Sequence, residues 1–190
     1  MIQIRAATPA DAVAIAAVHV AVWRTAYAGI LPDAYLARMS ATRHAAHYDG
    51  AIRGGAVVLV AEASGDDLPP DAKPRIVGFT TAGRARGAGK TLAEGEIETL
   101  YVLDDWRDLG IGRDLLRGSA ERLRQRGCGS AFLWVLRDNP SRWFYQRLGG
   151  RPAMEAQIQF AGQPLWQTAY VWAEIDRLLA AADTPRHPGA

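Results

Sequence analysis

Hydrophobic and polar positions change period several times along the chain, and each change marks an element. From 96 to 102, EIETLYV alternates as a strand with one buried face does, and Asp104 and Asp105 end it. Directly after it, Ile111, Leu115, Leu116, Ala120 and Leu123 recur on one side of a 3.6-residue period, while Arg113, Asp114, Arg117, Glu121, Arg122 and Arg124 occupy the other. That pattern predicts an amphipathic helix opening at Gly110-Ile111-Gly112 and stopped by Gly127. Apolar runs at 56–62 and 76–81 read as a hairpin, 131–136 as a strand, and 156–160 with 166–172 as a second hairpin around 161–164. At the start, 2–5 is a short strand, and Thr8-Pro9-Ala10-Asp11 begins a helix carrying Val13, Ile15, Ala16, Val20 and Trp23. Tyr27-Ala28-Gly29 breaks it. A second helix starts at Leu31-Pro32-Asp33 and continues, interrupted at Ser40, to about Ile52.

The stretch 64–74, dense in Gly, Pro and Asp, reads as an exposed loop, and the glycine-rich 86–95 as a flexible connection. The resulting order, β-α-α-β-β-β-α-β-α-β-β, predicts a mixed α/β sheet with helices on its faces. Residues 1–178 are expected to form one domain and 179–190 a frayed tail.

Composition narrows this picture more than it extends it. At 190 residues, 49% apolar and 22% charged, the chain suits one soluble domain with its own core. Cys128 is the single cysteine, which excludes a disulfide framework and reads as a small buried residue. A formal charge of +2 is too balanced to suggest a nucleic-acid partner. The Ala-rich stretch 12–23 contains His19 and is too short to span a bilayer, so no membrane association and a cytoplasmic location are expected.

The junction between the 96–102 strand and the following helix carries the chemistry. Gly110 and Gly112 remove Cβ atoms where main-chain N–H groups at a helix start face outward, which suits an anion, and Arg107 and Arg113 can add charged donors. A dinucleotide fingerprint needs a third glycine where Leu115 stands, and Gly87-Ala88-Gly89-Lys90-Thr91 lacks the spacing of a Walker loop. Arg107-Asp108-Leu109-Gly110-Ile111-Gly112 instead resembles the Arg/Gln-x-x-Gly-x-Gly pyrophosphate loop of the GNAT superfamily of N-acyltransferases. A second string, Asn139-Pro140-Ser141-Arg142-Trp143-Phe144-Tyr145 followed by Leu148-Gly149, is similar to the helix after the fifth GNAT strand. The two motifs span residues 96–150 in the expected order.

This resemblance implies a mostly antiparallel central sheet of about seven strands flanked by about four helices. It also implies that acetyl-CoA is held by residues 107–113, including Asp108, Leu109 and Ile111, with Asn139 on the CoA arm. Main-chain amides of Leu100 and Val102 would meet the acetyl oxygen, as a bulged strand frees them. Tyr145 would protonate the departing thiolate. Glu96 matches the position of a general base in several members; Glu98, two residues on, shares its face, and either carboxylate could instead hold the substrate's cation or face solvent. WRTAYAGILP resembles the segment bordering the acceptor pocket, which makes Trp23 and Tyr27 substrate candidates. The implied reaction is direct transfer of acetyl to a primary amine of a small molecule or peptide, with Cys128 outside the site. The alternative is a non-catalytic acyl-CoA-binding or regulatory domain. His44 and His47 read as surface residues with no third ligand, so no metal is expected, and a homodimer is plausible from the C-terminal strands.

Overall fold

A computed structural model describes residues 1–65, 68–69 and 73–183 of the chain. Much of the 64–74 loop and the last seven residues lie outside them. Seven strands form one sheet: β1 (Ile2–Ala6), β2 (Val57–Ala63), β3 (Arg75–Arg84), β4 (Gly95–Val102), β5 (Ala131–Leu136), β6 (Arg151–Phe160) and β7 (Gln163–Trp172), in the spatial order β1-β2-β3-β4-β5-β7-β6. All neighbours are antiparallel except β4 and β5, which run parallel and pair only at Gly95–Ala131 and Glu96–Phe132. Beyond those two pairs the strands separate, and the sheet has an opening at its centre.

Six α-helices accompany the sheet: α1 (Ala12–Ala26), α2 (Asp33–Ala37), α3 (Ala41–Arg53), α4 (Ile111–Gln125), α5 (Arg142–Arg147) and α6 (Ile175–Asp183). The excess over four has two causes. The expected second helix divides at Ser40, whose hydroxyl accepts from the Arg43 N–H at 3.3 Å and caps α3. The other is α6, which occupies the first five residues expected to fray. Its Ile175, Leu178, Leu179 and Ala182 recur at helical spacing and are buried, and its Asp176 and Asp183 meet Arg124 and Arg117 of α4.

One face of the sheet buries its side chains under α4 and α6, with Leu59, Val77, Ile97, Leu115, Leu116 and Leu178 in that core. The other lies under α1 and α3, with Ile15, Tyr48, Val58, Val60 and Phe79. Before α1 the chain makes a 3-10 turn, Pro9–Asp11, so the α-helix begins at Ala12 rather than at the proline. Asp11 accepts from the Thr8 N–H and hydroxyl and from Arg5, which also binds Glu62, and this tie fixes where α1 leaves the sheet. The connection containing Gly-Ala-Gly-Lys-Thr is a 3-10 turn, and Gly89 sits against Phe132, where a Cβ would come within 2.6 Å of Cζ. That glycine serves packing. The C-terminal hairpin is longer than its apolar pattern: pairing continues to Phe160–Gln163, leaving Ala161 and Gly162 as a two-residue turn with φ of +50° and +80°.

Candidate active site

The glycine loop closes the end of β4 toward α4. Gly110 adopts φ +82°, a left-handed conformation that side chains resist, and it directs the chain into the helix. The first main-chain bond of α4 runs from the Asp114 N–H to the Gly110 carbonyl at 3.1 Å, so the N–H groups of Ile111 and Gly112 precede the ladder and have no main-chain acceptor among the described residues. A Cβ on Gly112 would lie 3.5 Å from Phe144, an ordinary contact, so packing does not demand glycine there. Asp108 is also left-handed at φ +60°, and Leu109 is exposed. Arg107 lies beside the loop with its guanidinium on Asp104 at 2.7 Å. These features suit a diphosphate, whose oxygens take main-chain donors at a helix start.

β4 is shaped by one extra residue. Thr81 faces Thr99 and Ala82 faces Ile97, leaving Glu98 as a β-bulge. The bulge resets the direction of the main chain. Before it, the Gly95 N–H donates to Ser130 beside β5; after it, the Leu103 N–H donates to Val77 of β3. Counting back from Leu103 by alternation, Tyr101 and Thr99 also donate toward β3, and the amides of Leu100 and Val102 face the other way. That side is where β5 has separated, so two N–H groups point into the opening.

Tyr145 of α5 borders the same opening. It is 7% exposed, and among the described residues its hydroxyl makes no hydrogen bond, as a purely structural tyrosine would be expected to do. Burial pushes its phenol up, with Tyr27 adding to the effect. Tyr27, just past the end of α1, is also raised by burial and drawn back by Asn139 and Tyr101. Asn139 is buried and accepts the Ser141 N–H at 2.9 Å, a turn that starts α5. Trp23 packs edge-on to Tyr27 at 4.9 Å and against Phe160 at 5.7 Å, so the end of α1 meets the tip of the β6–β7 hairpin.

Farther back along β4, Glu96 is half-buried. Burial raises its carboxyl, the neighbouring Glu98 raises it further, and Arg86 opposes both. Glu98 is exposed and forms an ion pair with Arg86. Above this strand lies His19 of α1, 7% exposed, with Nδ1 2.6 Å from the Tyr48 hydroxyl. His44 is half-buried rather than fully on the surface: its ring stacks on His19 at 4.1 Å, because α3 lies against α1, while His47 is exposed.

The structure thus gathers Tyr145, Tyr27, Trp23 and Asn139 with the Leu100 and Val102 amides, and places Glu96 and Glu98 on the same strand. Tyr101, Tyr48, His19, Tyr35 and Phe160 complete the aromatic wall, and sequence reading missed them. Tyr101 was legible in principle, lying between the two amides inside the strand motif; the others meet only through packing. Among the described residues no cluster of three or more His, Cys, Asp or Glu side chains could hold a metal ion, and no helix is long and apolar enough to cross a membrane.

Comparison with known proteins bears on the family and the fold. The acetyltransferase (GNAT) family matches residues 22–150. The chain is 32% identical over 178 residues to an uncharacterized N-acetyltransferase of Bacillus subtilis strain 168, covering 94% of this chain and 96% of that protein. Among solved structures it is similar to a Salmonella typhimurium acetyltransferase with its cofactor acetyl-CoA, at 24% identity and a TM-score of 0.66, over 92% of this chain and 94% of that one. An N-acetyltransferase from Staphylococcus aureus Mu50 has the same TM-score at 20% identity, over 92% and 99%. By family match, by sequence identity across nearly its whole length and by fold, this chain belongs to the GNAT family of N-acetyltransferases.

Proposed function

We propose that the protein transfers the acetyl group of acetyl-CoA directly to a primary amine. The observation that carries this reading is the β4–β5 opening, into which two amides point beside Tyr145, a buried side chain whose hydroxyl serves no structural bond among the described residues. The N–H groups of Ile111 and Gly112 hold the diphosphate, with Arg107 and Arg113 beside it and Asp108 and Leu109 shaping the loop. Anchored there, the thioester lies along the opening, and much of the rate comes from that positioning. The Leu100 and Val102 amides stabilise charge on the acetyl oxygen as the amine attacks.

A primary ammonium has a pKa near ~10.4 and needs a base. Glu96 takes that proton, directly or through water; its raised carboxyl makes it a better base than a solvent-exposed one. The new C–N bond forms as the C–S bond breaks, and Tyr145 gives its proton to the thiolate. Burial keeps the Tyr145 phenol protonated at neutral pH, a condition for that role. Glu98, held by Arg86, contributes negative potential that attracts the ammonium.

Titration calorimetry with acetyl-CoA, followed by a free-thiol assay over a panel of primary amines, tests the proposal. Binding with amine-dependent thiol release is expected. Binding without release from any amine would favour a non-catalytic acyl-CoA-binding domain, and absence of binding by folded protein would remove both readings.

A further inference from the structure

Two carboxylates adjoin on β4, and Arg86 pairs with one of them and not the other. Glu96 lies across the sheet from Gly83 of β3, and Glu98 is the bulged residue without a cross-strand partner there. Gly83 has no side chain, and Glu98 Oε1 lies 3.9 Å from the place its Cβ would take, so the Glu98 carboxylate leans back over the residue opposite Glu96. Arg86, just beyond Gly83 in the chain, reaches the same spot and forms an ion pair with Glu98. Glu96 is half-buried and makes no hydrogen bond or ion pair among the described residues.

The other charged groups near this face have different engagements. Arg84 of β3 turns its guanidinium to the Arg126 carbonyl, and Glu94 accepts the Gly129 N–H. Lys90 lines the same recess as Arg86 and has no hydrogen-bond or ion-pair partner among the described residues. From α3 come Tyr48, on which Glu98 acts, the pair Asp49–Arg53, and Arg43, His44 and His47; from α1 comes His19; β5 faces Glu96 with Phe132. Burial is the largest influence on the Glu96 carboxyl, and among the charged groups Glu98 raises it and Arg86 lowers it. Of two adjacent carboxylates, the one whose anion is held less well takes a proton first. Glu98 has solvent and a guanidinium, whereas Glu96 has partial burial and a like charge beside it.

We infer that Arg86 is a positioning residue that assigns the two carboxylates their roles: paired with Glu98, it fixes that side chain as a standing negative charge and leaves Glu96 as the group that takes the amine's proton. The proton passes from the ammonium nitrogen to a Glu96 carboxylate oxygen, and Glu98 keeps its charge throughout. This rests on the acetyl-transfer reading, in which a carboxylate of β4 is the base.

The test follows the acidic limb of kcat/KM for a primary alkylamine in wild-type protein and in four variants, with circular dichroism and calorimetric binding of acetyl-CoA confirming that each is folded. Arg86→Gln removes the charge that favours the Glu96 anion, so the limb moves to higher pH, by about 0.5–1 unit for an exposed cation. Arg86→Lys keeps the charge and recovers most of that shift. Lys90→Gln changes the net charge equally from the same turn and leaves the limb in place. Glu98→Gln removes a like charge and moves the limb to lower pH. A limb unmoved in Arg86→Gln or in Glu98→Gln overturns the inference and leaves acetyl transfer standing. So does one that Lys90→Gln moves as far as Arg86→Gln, or one that Arg86→Lys brings no closer to wild type. A limb that survives in Glu96→Gln overturns it by taking the base away from Glu96. Acetyl-CoA binding with no transfer to any amine sinks the transferase reading and this inference with it.

Discussion

The two sides of the β4–β5 opening are made of different material. In the proposed reaction the working groups on the cofactor side are main-chain amides at 100, 102, 111 and 112, exposed by a bulge, a left-handed glycine and a helix start. On the proposed acceptor side the lining is side chains: Trp23 and His19 from α1, Tyr48 from α3, Tyr101 and Glu96 from β4, and Phe160 from the far hairpin. A main-chain site tolerates many side chains but few changes of backbone path. A side-chain site accepts a change of backbone only if the groups still meet, and it can be retuned one residue at a time. The contrast explains how one cofactor geometry can serve different acceptors.

Substitutions separate the two sides. The largest effect is expected at their boundary: Tyr145→Phe should lower kcat by about 10³-fold with little change in acetyl-CoA affinity, read by thiol release and calorimetry. A variant with normal turnover would take Tyr145 out of the chemistry. Next, Glu96→Gln should lower kcat/KM about 10²-fold and abolish the acidic limb of its pH profile. In wild-type protein that limb lies above the ordinary carboxylate range, because burial and Glu98 raise the group, and activity grows as pH rises through it.

On the cofactor side, Gly110→Val forces a β-branched residue to φ +82°. It should weaken acetyl-CoA binding roughly 10- to 30-fold, the equivalent of about 1–2 kcal/mol, while the acceptor preference of the remaining activity is kept. Loss of that preference would mean that the two sides are not separable.

The smallest effect is on stability. Folded His19 protonates only near pH 3, whereas an unfolded histidine does so near 6.5. As pH falls below about 6.5 the unfolded chain gains a proton that the folded one refuses, and stability drops toward pH 3. Between pH 7 and 5 this amounts to about 1–2 kcal/mol. Urea midpoints at the two pH values should differ less in His19→Phe; an equal difference would place the acid sensitivity elsewhere, with His44 the next residue to examine.

The same contrast decided what could be read from the chain. The strand at 131–136, the helix from Ile111 and the break at Ser40 were legible because each is fixed by neighbours in sequence: alternation, a 3.6-residue stripe, a cap. α6 was missed because its apolar stripe sits in a polar, proline-bearing terminus and makes sense only against α4. That half-buried His44 stacks on His19 was not legible, because nothing local says that α3 will lay it there.

By itself the sequence determined the glycine loop, the tyrosine after β5, the two glutamates of β4 and the order of elements, since these depend on local backbone preference and short spacing. Only the tertiary structure decided that β4 bulges at Glu98, that β5 leaves it after two residue pairs, and that aromatic residues from α1, α3, β4 and the far hairpin gather around Trp23 and Tyr101. Those outcomes depend on strand register and helix packing, which are set by contacts between residues far apart in the chain. No local pattern encodes them.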